Sequence, residues 1–257
     1  MFETGANRWR QFEQWPPQTQ ARSLWLGEGG ALLDAAPGER KAFDEYISDP
    51  AHPVPFTSAI AKGMTREYMT DDQRFASRRP DVLVYQTEPL TEALTIAGPL
   101  AAHLWVSTDQ RDADWVVKLI DVHPGEAEDH EGLRETMHMG GYQMMVRSEV
   151  LRGRFRDDPA KPEPLEPNKA TELSVQLQDV LHTFEPGHRV MIQIQSTWFP
   201  LLDLNPQSWV DSIYAAEADD FVRATHRVYR DTKHPSTLEF GVLAPGAAQP
   251  LACLPEG

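Results

Sequence analysis

Alternating apolar and polar positions recur along the chain beyond residue 81. The clearest case is HRVMIQIQSTW (188–198), where valine and isoleucines occupy one face and methionine and glutamines the other. TELSVQLQDV (171–180) and GGYQMMVRSEVLRGRF (140–155) show the same period of two. This period is that of a β-strand, in which successive side chains point to opposite faces. We therefore expect a strand in each of the three segments.

Four further segments are short, β-branched or apolar runs bounded by turn residues: VLVYQT (82–87), LTIAG (94–98), LAAHLWVST (100–108) and DWVVKLIDV (114–122). Together with the alternating segments, they predict roughly eight to ten strands across residues 81–243. Regular spacing of short strands is typical of a β-sandwich or jelly roll. Since no helical segment of 10–15 residues alternates with the strands, a doubly wound α/β fold is disfavoured. The predicted fold class is all-β, a jelly-roll β-sandwich.

The N-terminal part of the chain reads differently. Residues 1–22 are rich in aromatics, and SLWLGEGGALL (23–33) predicts two short extended pieces around a glycine turn. Residues 35–70 show neither the period of two of a strand nor the period of 3.6 of a helix. Such a long irregular segment is typical of chain laid over a neighbouring surface. We therefore expect a junction and connecting segment at 1–70, the sandwich at 71–243 and a mobile, proline-rich tail at 244–257.

Composition and charge limit the kinds of partner and compartment that we expect for this protein. The net charge of −15 disfavours nucleic acid, which requires clustered lysine and arginine. No 18-residue apolar run and no charged-then-apolar leader is visible, so neither a membrane span nor a signal peptide is predicted. One cysteine, Cys253, is compatible with a reducing compartment, and we expect the cytoplasm.

Few sequence motifs point to catalysis or to ligand binding. No serine stands in a G-x-S-x-G frame, and there is no glycine-rich phosphate loop; a Ser/His/Asp set with unfamiliar spacing is the open alternative. His130 and His138 lie near acidic residues, but not in a zinc-binding frame, so a solvated loop is favoured. In DQRDADW (109–115) the acids favour capping turns with an arginine partner over a calcium loop. No catalytic residue, cofactor site or metal ligand is predicted.

Aromatic residues are the remaining signal. They cluster near the start of the chain and around WFPLLDLNPQSW (198–209). They could cap the ends of the sandwich core, dock onto another domain, or form a platform that stacks on sugar rings. The residues alone do not choose among these three roles.

The chain resembles one family over nearly its whole length and in the expected order. The segments that carry the resemblance are FETGANRWRQFEQWPP, YISDPAHPVPF, DDQRFASRRPDVLVYQTEPLTEALTIAGPL, DADWVVKLIDVHP, MGGYQMMVRSEVLRGRFR, DVLHTFEPGHRVMIQIQSTWFPLLDLNPQ and THRVYRDTKHPSTLEFGVL. They are similar to the C-terminal part of the serine hydrolases that include X-Pro dipeptidyl-peptidases, α-amino-acid ester hydrolases, glutaryl acylases and cocaine esterase. The ester hydrolase and acylase branch looks closest.

The resemblance implies a non-catalytic C-terminal jelly-roll domain, galactose-binding-like in fold, that packs on an α/β-hydrolase domain. In that family the hydrolase domain carries the nucleophile elbow, the triad and a helical cap, and no position here matches those motifs. The chain is therefore expected to be inactive alone, as a gene fragment, split gene or partner of a separate catalytic chain. The interface candidates are Trp9, Arg10, Trp15, Trp198, Phe199 and Trp209.

Two further expectations follow. The FETGANRW segment (2–9) would mark the exit from the hydrolase domain, which makes Met1 an internal point of an ancestral chain. Exposed apolar surface around the first twenty residues would favour self-association. The alternative function is a free-standing β-sandwich module that binds carbohydrate or another ligand.

Overall fold

The computed structural model describes residues 1–63, 65–133, 137–244 and 246–247, and the backbone of 249–250. The described strands are β1 (Phe2–Glu3), β2 (Arg8–Gln11), β3 (Thr19–Leu26), β4 (Leu32–Leu33), β5 (Phe43–Ser48), β6 (Leu83–Gln86), β7 (Leu94–Thr108), β8 (Asp114–Val122), β9 (Gln143–Arg152), β10 (Thr171–Phe184), β11 (Arg189–Gln195), β12 (Ala224–Tyr229), β13 (Thr237–Leu243) and β14 (Gln249–Pro250). Every strand pair among them is antiparallel.

The larger sheet is organised around β7. Its strand order is β4-β3-β13-β7-β12-β5, and β10 pairs with β7 as well. The long strand β7 can hold three neighbours because β13 and β12 pair with successive parts of it, while β10 pairs along nearly its whole length. The sheet therefore has seven strands, and a small sheet of β1, β2 and β14 lies apart from it in the hydrogen-bonding pattern.

The second main sheet has the order β6-β11-β8-β9. Alternate residues of β8, Trp115, Val117 and Leu119, lie in the main core together with Ile192 and Ile194 of β11. Inward-facing residues of β7 and β10 complete the same cluster, so the core is the space between the two large sheets. The expected all-β jelly-roll class is confirmed.

Helical structure is scarce. Within the described residues the only α-helix is Arg74–Ser77, and no helix is long and apolar enough to cross a membrane. Residues 213–220 form two 3₁₀ turns, Ile213–Ala215 and Ala218–Asp220.

The prediction that residues 35–70 lack regular structure is wrong at β5. This strand lies in the seven-stranded sheet, where it pairs with β12. Strands β3 and β4 also join that sheet, through β13. The domain boundaries at 70 and 243 stay predictions, and most of the tail 244–257, including Cys253, lies outside the described residues.

The interpretation of 35–70 as chain laid over a neighbour is wrong for its buried residues. Phe56 packs with Val116 and Trp198. Val54 packs with Ala76 in a separate small cluster. The segment therefore covers the outer face of this chain's own four-stranded sheet, which would otherwise expose apolar residues to water.

A buried lysine lies beneath that cover. Lys118 projects from β8, donates a hydrogen bond from Nζ to Gln73 Oε1 at 3.0 Å, and lies 4.7 Å from the centre of the Trp198 ring. Its side chain is fully buried, and burial lowers the pKa of Lys118 to about 7. The outer face of this sheet thus encloses a polar layer within an apolar cover.

The acids at the start of β8 behave as the sequence predicts. Arg154 donates from Nε to Asp112 Oδ2 at 2.7 Å, and Arg152 donates from Nη2 to Asp114 Oδ2 at 3.0 Å. In the loop 123–139, Asp129 lies 2.9 Å from His138 Nδ1, and residues 134–136, including Glu135, lie outside the described part.

Candidate docking surface and polar cluster

An exposed aromatic pair marks the N-terminal hairpin. Strands β1 and β2 pair with Phe2 opposite Trp9, and the turn between them contains Gly5 and Asn7 at positive φ. The two rings meet edge to face with centroids 5.4 Å apart. Both face solvent, since Phe2 is 41% and Trp9 60% exposed. This confirms the expected apolar surface near the N-terminus.

A buried glutamate fixes the hairpin to the sandwich. Glu3 is fully buried and accepts hydrogen bonds from Arg8, Arg10 and the hydroxyl of Thr183. Burial alone would raise the pKa of Glu3, but these three donors outweigh it and lower the pKa to about 2. Arg10, expected at an interface, is thus engaged inside the domain through this ion pair.

Trp15 is half-buried beside the hairpin. Its Nε1 donates to Asp179 Oδ2 at 2.5 Å, and its ring meets Phe12 edge to face at 5.6 Å. A groove of about 540 Å³ runs between residues 11–18 and 246–247. Trp15 is therefore fixed to β10, with a groove beside its flanking residues.

The second aromatic group has a different environment. Trp198 is buried in the cluster with Phe56, whereas the neighbouring Phe199 is 41% exposed. The Arg154 guanidinium lies 4.5 Å from the centre of the Trp209 ring and covers it. Trp198 and Trp209 are thus covered by other residues of this domain. Of these three rings, Phe199 is the exposed one.

The two aromatic groups lie at opposite ends of the sandwich. The hairpin contacts the end of β10, which leads by a short turn into Arg189 at the start of β11. Trp198 and Phe199 follow Gln195 at the other end of β11. The six residue-to-residue steps from Arg189 to Gln195 span about 20 Å. The structure therefore does not bring the interface candidates together into one site.

A cluster of one aspartate and three histidines lies at the hairpin end of the core. His182 donates from Nε2 to Asp121 Oδ2 at 3.2 Å, and His188 donates from Nδ1 to Asp121 Oδ1 at 2.8 Å. The His123 ring lies 4.4 Å from the His188 ring, centroid to centroid. Thr4 Oγ1 is 2.9 Å from His182 Nδ1, so the cluster reaches the N-terminal hairpin.

The electrostatics keep the aspartate ionised. Burial raises the pKa of Asp121, but the hydrogen bonds from His182 and His188 more than compensate, and the pKa lies below its ordinary value. Burial lowers the pKa of His123, whose Nε2 is buried without a hydrogen-bond partner among the described residues. This cluster was not predicted from the sequence, although D-x-H at the end of β8 and a histidine directly before β11 were its visible signals.

The comparison with known families decides the relationship. Residues 1–239 match the family described as the X-Pro dipeptidyl-peptidase C-terminal non-catalytic domain. The chain belongs to this family. The resemblance seen in the sequence is thereby confirmed, and the family description gives the domain as C-terminal and non-catalytic, as the resemblance implied.

The segments that this domain matches lie within longer hydrolases. The chain is 28% identical to cocaine esterase from Rhodococcus sp. (strain MB1 Bresler) over 252 residues, which are 95% of this chain and 41% of that protein. An aminopeptidase from the marine sediment archaeon Thaumarchaeota archaeon superposes with a TM-score of 0.88 at 43% identity, covering 95% of this chain and 40% of that one.

An α-amino acid ester hydrolase gives a TM-score of 0.87 at 42% identity over 94% of this chain and 40% of that chain. The chain therefore spans about two fifths of the length of the relatives that it matches.

Proposed function

We propose that this domain docks onto an α/β-hydrolase domain that cleaves an ester or peptide bond, and stabilises it there. The observation that carries the proposal is the exposed Phe2–Trp9 pair on a hairpin that is fixed to the sandwich. The relatives support the class of reaction, since they are named as an esterase, an aminopeptidase and an ester hydrolase.

The hairpin has the properties of an interface anchor. Tryptophan and arginine are enriched among the residues that dominate binding energy, particularly where the contact is well packed and desolvated. Glu3 holds the backbone of β1 in place through Arg8, Arg10 and Thr183, so little conformational entropy would be lost when Trp9 is covered. A hairpin that is ordered before binding therefore suits a docking role.

The bond specificity is part of the same proposal. The hydrolase domain would act through an acyl-enzyme intermediate on α-amino-acid esters or on peptides from which it releases an N-terminal X-Pro dipeptide, and the present domain would supply no reacting group. We expect the chain alone to show no turnover of p-nitrophenyl acetate or of an α-amino-acid ester.

A chimera tests the proposal. The hydrolase portion of the α-amino acid ester hydrolase is joined to this chain, which replaces the segment that it matches. We expect one cooperative unfolding transition and α-amino-acid ester turnover above that of the hydrolase portion alone. Trp9→Ala should split the transition or lower the midpoint of the hydrolase portion, because a central aromatic anchor contributes about 2 kcal/mol or more.

The matched control is Tyr214→Ala. Tyr214 is an aromatic residue, 88% exposed, on the 3₁₀ turn Ile213–Ala215, outside the hairpin. The proposal fails if Trp9→Ala and Tyr214→Ala behave alike, or if the chimera unfolds and turns over like the hydrolase portion alone. Retention of the isolated chain on immobilised glycans would favour the carbohydrate-binding alternative.

A further inference from the structure

Polar residues replace apolar ones at one end of the main core. Residues 115, 117 and 119 of β8 point between the sheets, and by strand alternation Asp121 and the following His123 share that face. On β11, Val190 and Ile192 point inward, so His188, two residues before Val190, shares their face. Inward-facing positions are normally apolar, so an aspartate and two histidines on this face are unusual.

Strand pairing places these residues side by side. Val122 pairs with Arg189, and continuing the antiparallel register by one residue puts His123 opposite His188. Directly opposed residues have Cβ atoms about 5 Å apart, within reach of one ion. One potential ligand atom from each of Asp121, His123 and His188 lies within 4.8 Å of the other two.

The distances also fit a shared ion. His188 Nδ1 and Asp121 Oδ1 are 2.8 Å apart. Two ligands of a tetrahedral zinc ion with bonds of about 2.0–2.1 Å are separated by about 3.3 Å, so small side-chain rotations suffice. His123 Nε2 is buried without a partner among the described residues, which is costly unless something binds the ring.

An outer layer of hydrogen bonds orients the carboxylate. His182 donates from Nε2 to the second oxygen of Asp121 at 3.2 Å, and Thr4 Oγ1 lies 2.9 Å from the other nitrogen of His182. Partners of this kind fix the direction of a metal ligand and are typical of real metal sites. They also connect the cluster to the N-terminal hairpin.

We propose that Asp121, His123 and His188 form a site for a divalent first-row transition-metal ion, for which zinc is the natural probe. Two imidazoles and one carboxylate are the ligand set of several zinc sites with one open position. Imidazole favours zinc, copper, iron and nickel over the harder calcium and magnesium. Binding replaces the hydrogen bond between His188 and Asp121 with bonds to the ion, and the displaced proton goes to solvent.

The test measures metal retention by the full chain. The protein is stripped with a chelator, equilibrated with zinc chloride, passed through a desalting column and analysed by elemental mass spectrometry. We expect about one zinc per chain, reduced to background in His123→Ala and in His188→Ala. At a hundredfold excess of zinc over the dissociation constant, the wild-type Tm should rise by about 5–10 °C.

The matched control is His138→Ala. His138 also pairs with an aspartate, Asp129 at 2.9 Å, but on the exposed loop, and this variant should retain zinc as the wild type does. Retention by all three variants alike, or background zinc in the wild type, would overturn the proposal.

A spectroscopic readout keeps the test independent of whether the alanine variants fold. Cobalt(II) added to the stripped wild-type chain should give the intense visible absorption of a four-coordinate ion, and zinc should abolish it by displacement. A spectrum like that of hydrated cobalt would contradict the site. Circular dichroism of each variant without metal shows whether lost retention reflects a lost ligand or an unfolded chain.

Discussion

At the scale of single residues, the most unusual feature is a buried lysine that has no carboxylate beside it in the part of the chain that the structure describes. Among those residues, Lys118 donates one hydrogen bond, to Gln73, and lies over the face of the Trp198 ring. Nearby, Gln193 Oε1 and Trp198 Nε1 are buried without partners among the described residues. Charging the lysine in this environment is costly because neither solvent nor an anion compensates the charge.

The stability of the domain should therefore depend on pH through Lys118. In the unfolded chain its pKa is near the ordinary 10.5, and in the folded chain burial lowers the pKa to about 7. Between these values only the unfolded chain binds the proton, so folded-state stability increases as pH rises. Relative to Lys118→Met, the wild-type free energy of unfolding should increase by about 1 kcal/mol per pH unit from pH 7 to 9.

Urea unfolding at three pH values measures this dependence. Lys161→Met is the control, because Lys161 is 78% exposed and pairs with Asp158 at the surface, so its curve should run parallel to the wild-type curve. If the curves of Lys118→Met and wild type stay parallel, Lys118 keeps an ordinary pKa and this account is wrong.

At the scale of elements, the N-terminal hairpin depends on a close backbone approach. Thr4 donates from its amide to Leu181 O at 3.2 Å, and Thr183 donates from its amide to Thr4 O at 2.9 Å. Gly5 follows at φ +81°, and a Cβ there would lie 1.9 Å from Thr183 O. Only glycine permits both the turn and the approach to β10.

Gly5→Ala should therefore release the hairpin from β10 while the sandwich stays folded. We expect hydrogen exchange at the Thr183 amide to accelerate about tenfold or more, because its bond to Thr4 opens. Gly29→Ala is the matched control, since Gly29 has a similar φ of +67° but no atom within 4 Å of an added Cβ. Equal protection of Thr183 in Gly5→Ala and wild type would contradict this role.

The strands themselves differ in how visible they were in the sequence. Strands β10 and β11 follow the period of two and were predicted within a few residues. Strand β5, FDEYIS, was missed because it lies at the edge of its sheet and buries only Tyr46 and Ser48. Edge strands carry charged residues that discourage pairing with other molecules, and those residues hide the strand in the sequence pattern.

At the scale of the whole molecule, charge and apolar surface act against each other. The net charge of −15 keeps copies apart, while the exposed Phe2–Trp9 pair favours contact between them. Added salt screens the repulsion over a Debye length of about 8 Å at physiological ionic strength and leaves the apolar contact intact.

We therefore expect reversible self-association of the isolated chain that strengthens with salt. Sedimentation velocity over a range of protein and salt concentrations should show it, and Trp9→Ala should shift the population toward monomer. Tyr214→Ala should have no such effect. A chain that is monomeric at all concentrations, and that binds no hydrophobic dye, would show that the hairpin surface is not adhesive.

The sequence by itself determined the all-β class, most strands of the sandwich and the family, because strand alternation is local and the family's segments lie in order along the chain. It also located the apolar N-terminus. Tertiary structure alone decided which aromatic side chains stay exposed: Trp198 is covered by Phe56, and Trp209 by Arg154.

Tertiary structure also assembled the Asp121 cluster. No metal ligand was predicted from the sequence, since His188 lies 67 positions from Asp121 along the chain. The two meet only because β8 and β11 pair in one register. Pairing between distant strands is fixed by the packing of the whole core, so no local pattern in the sequence could specify it.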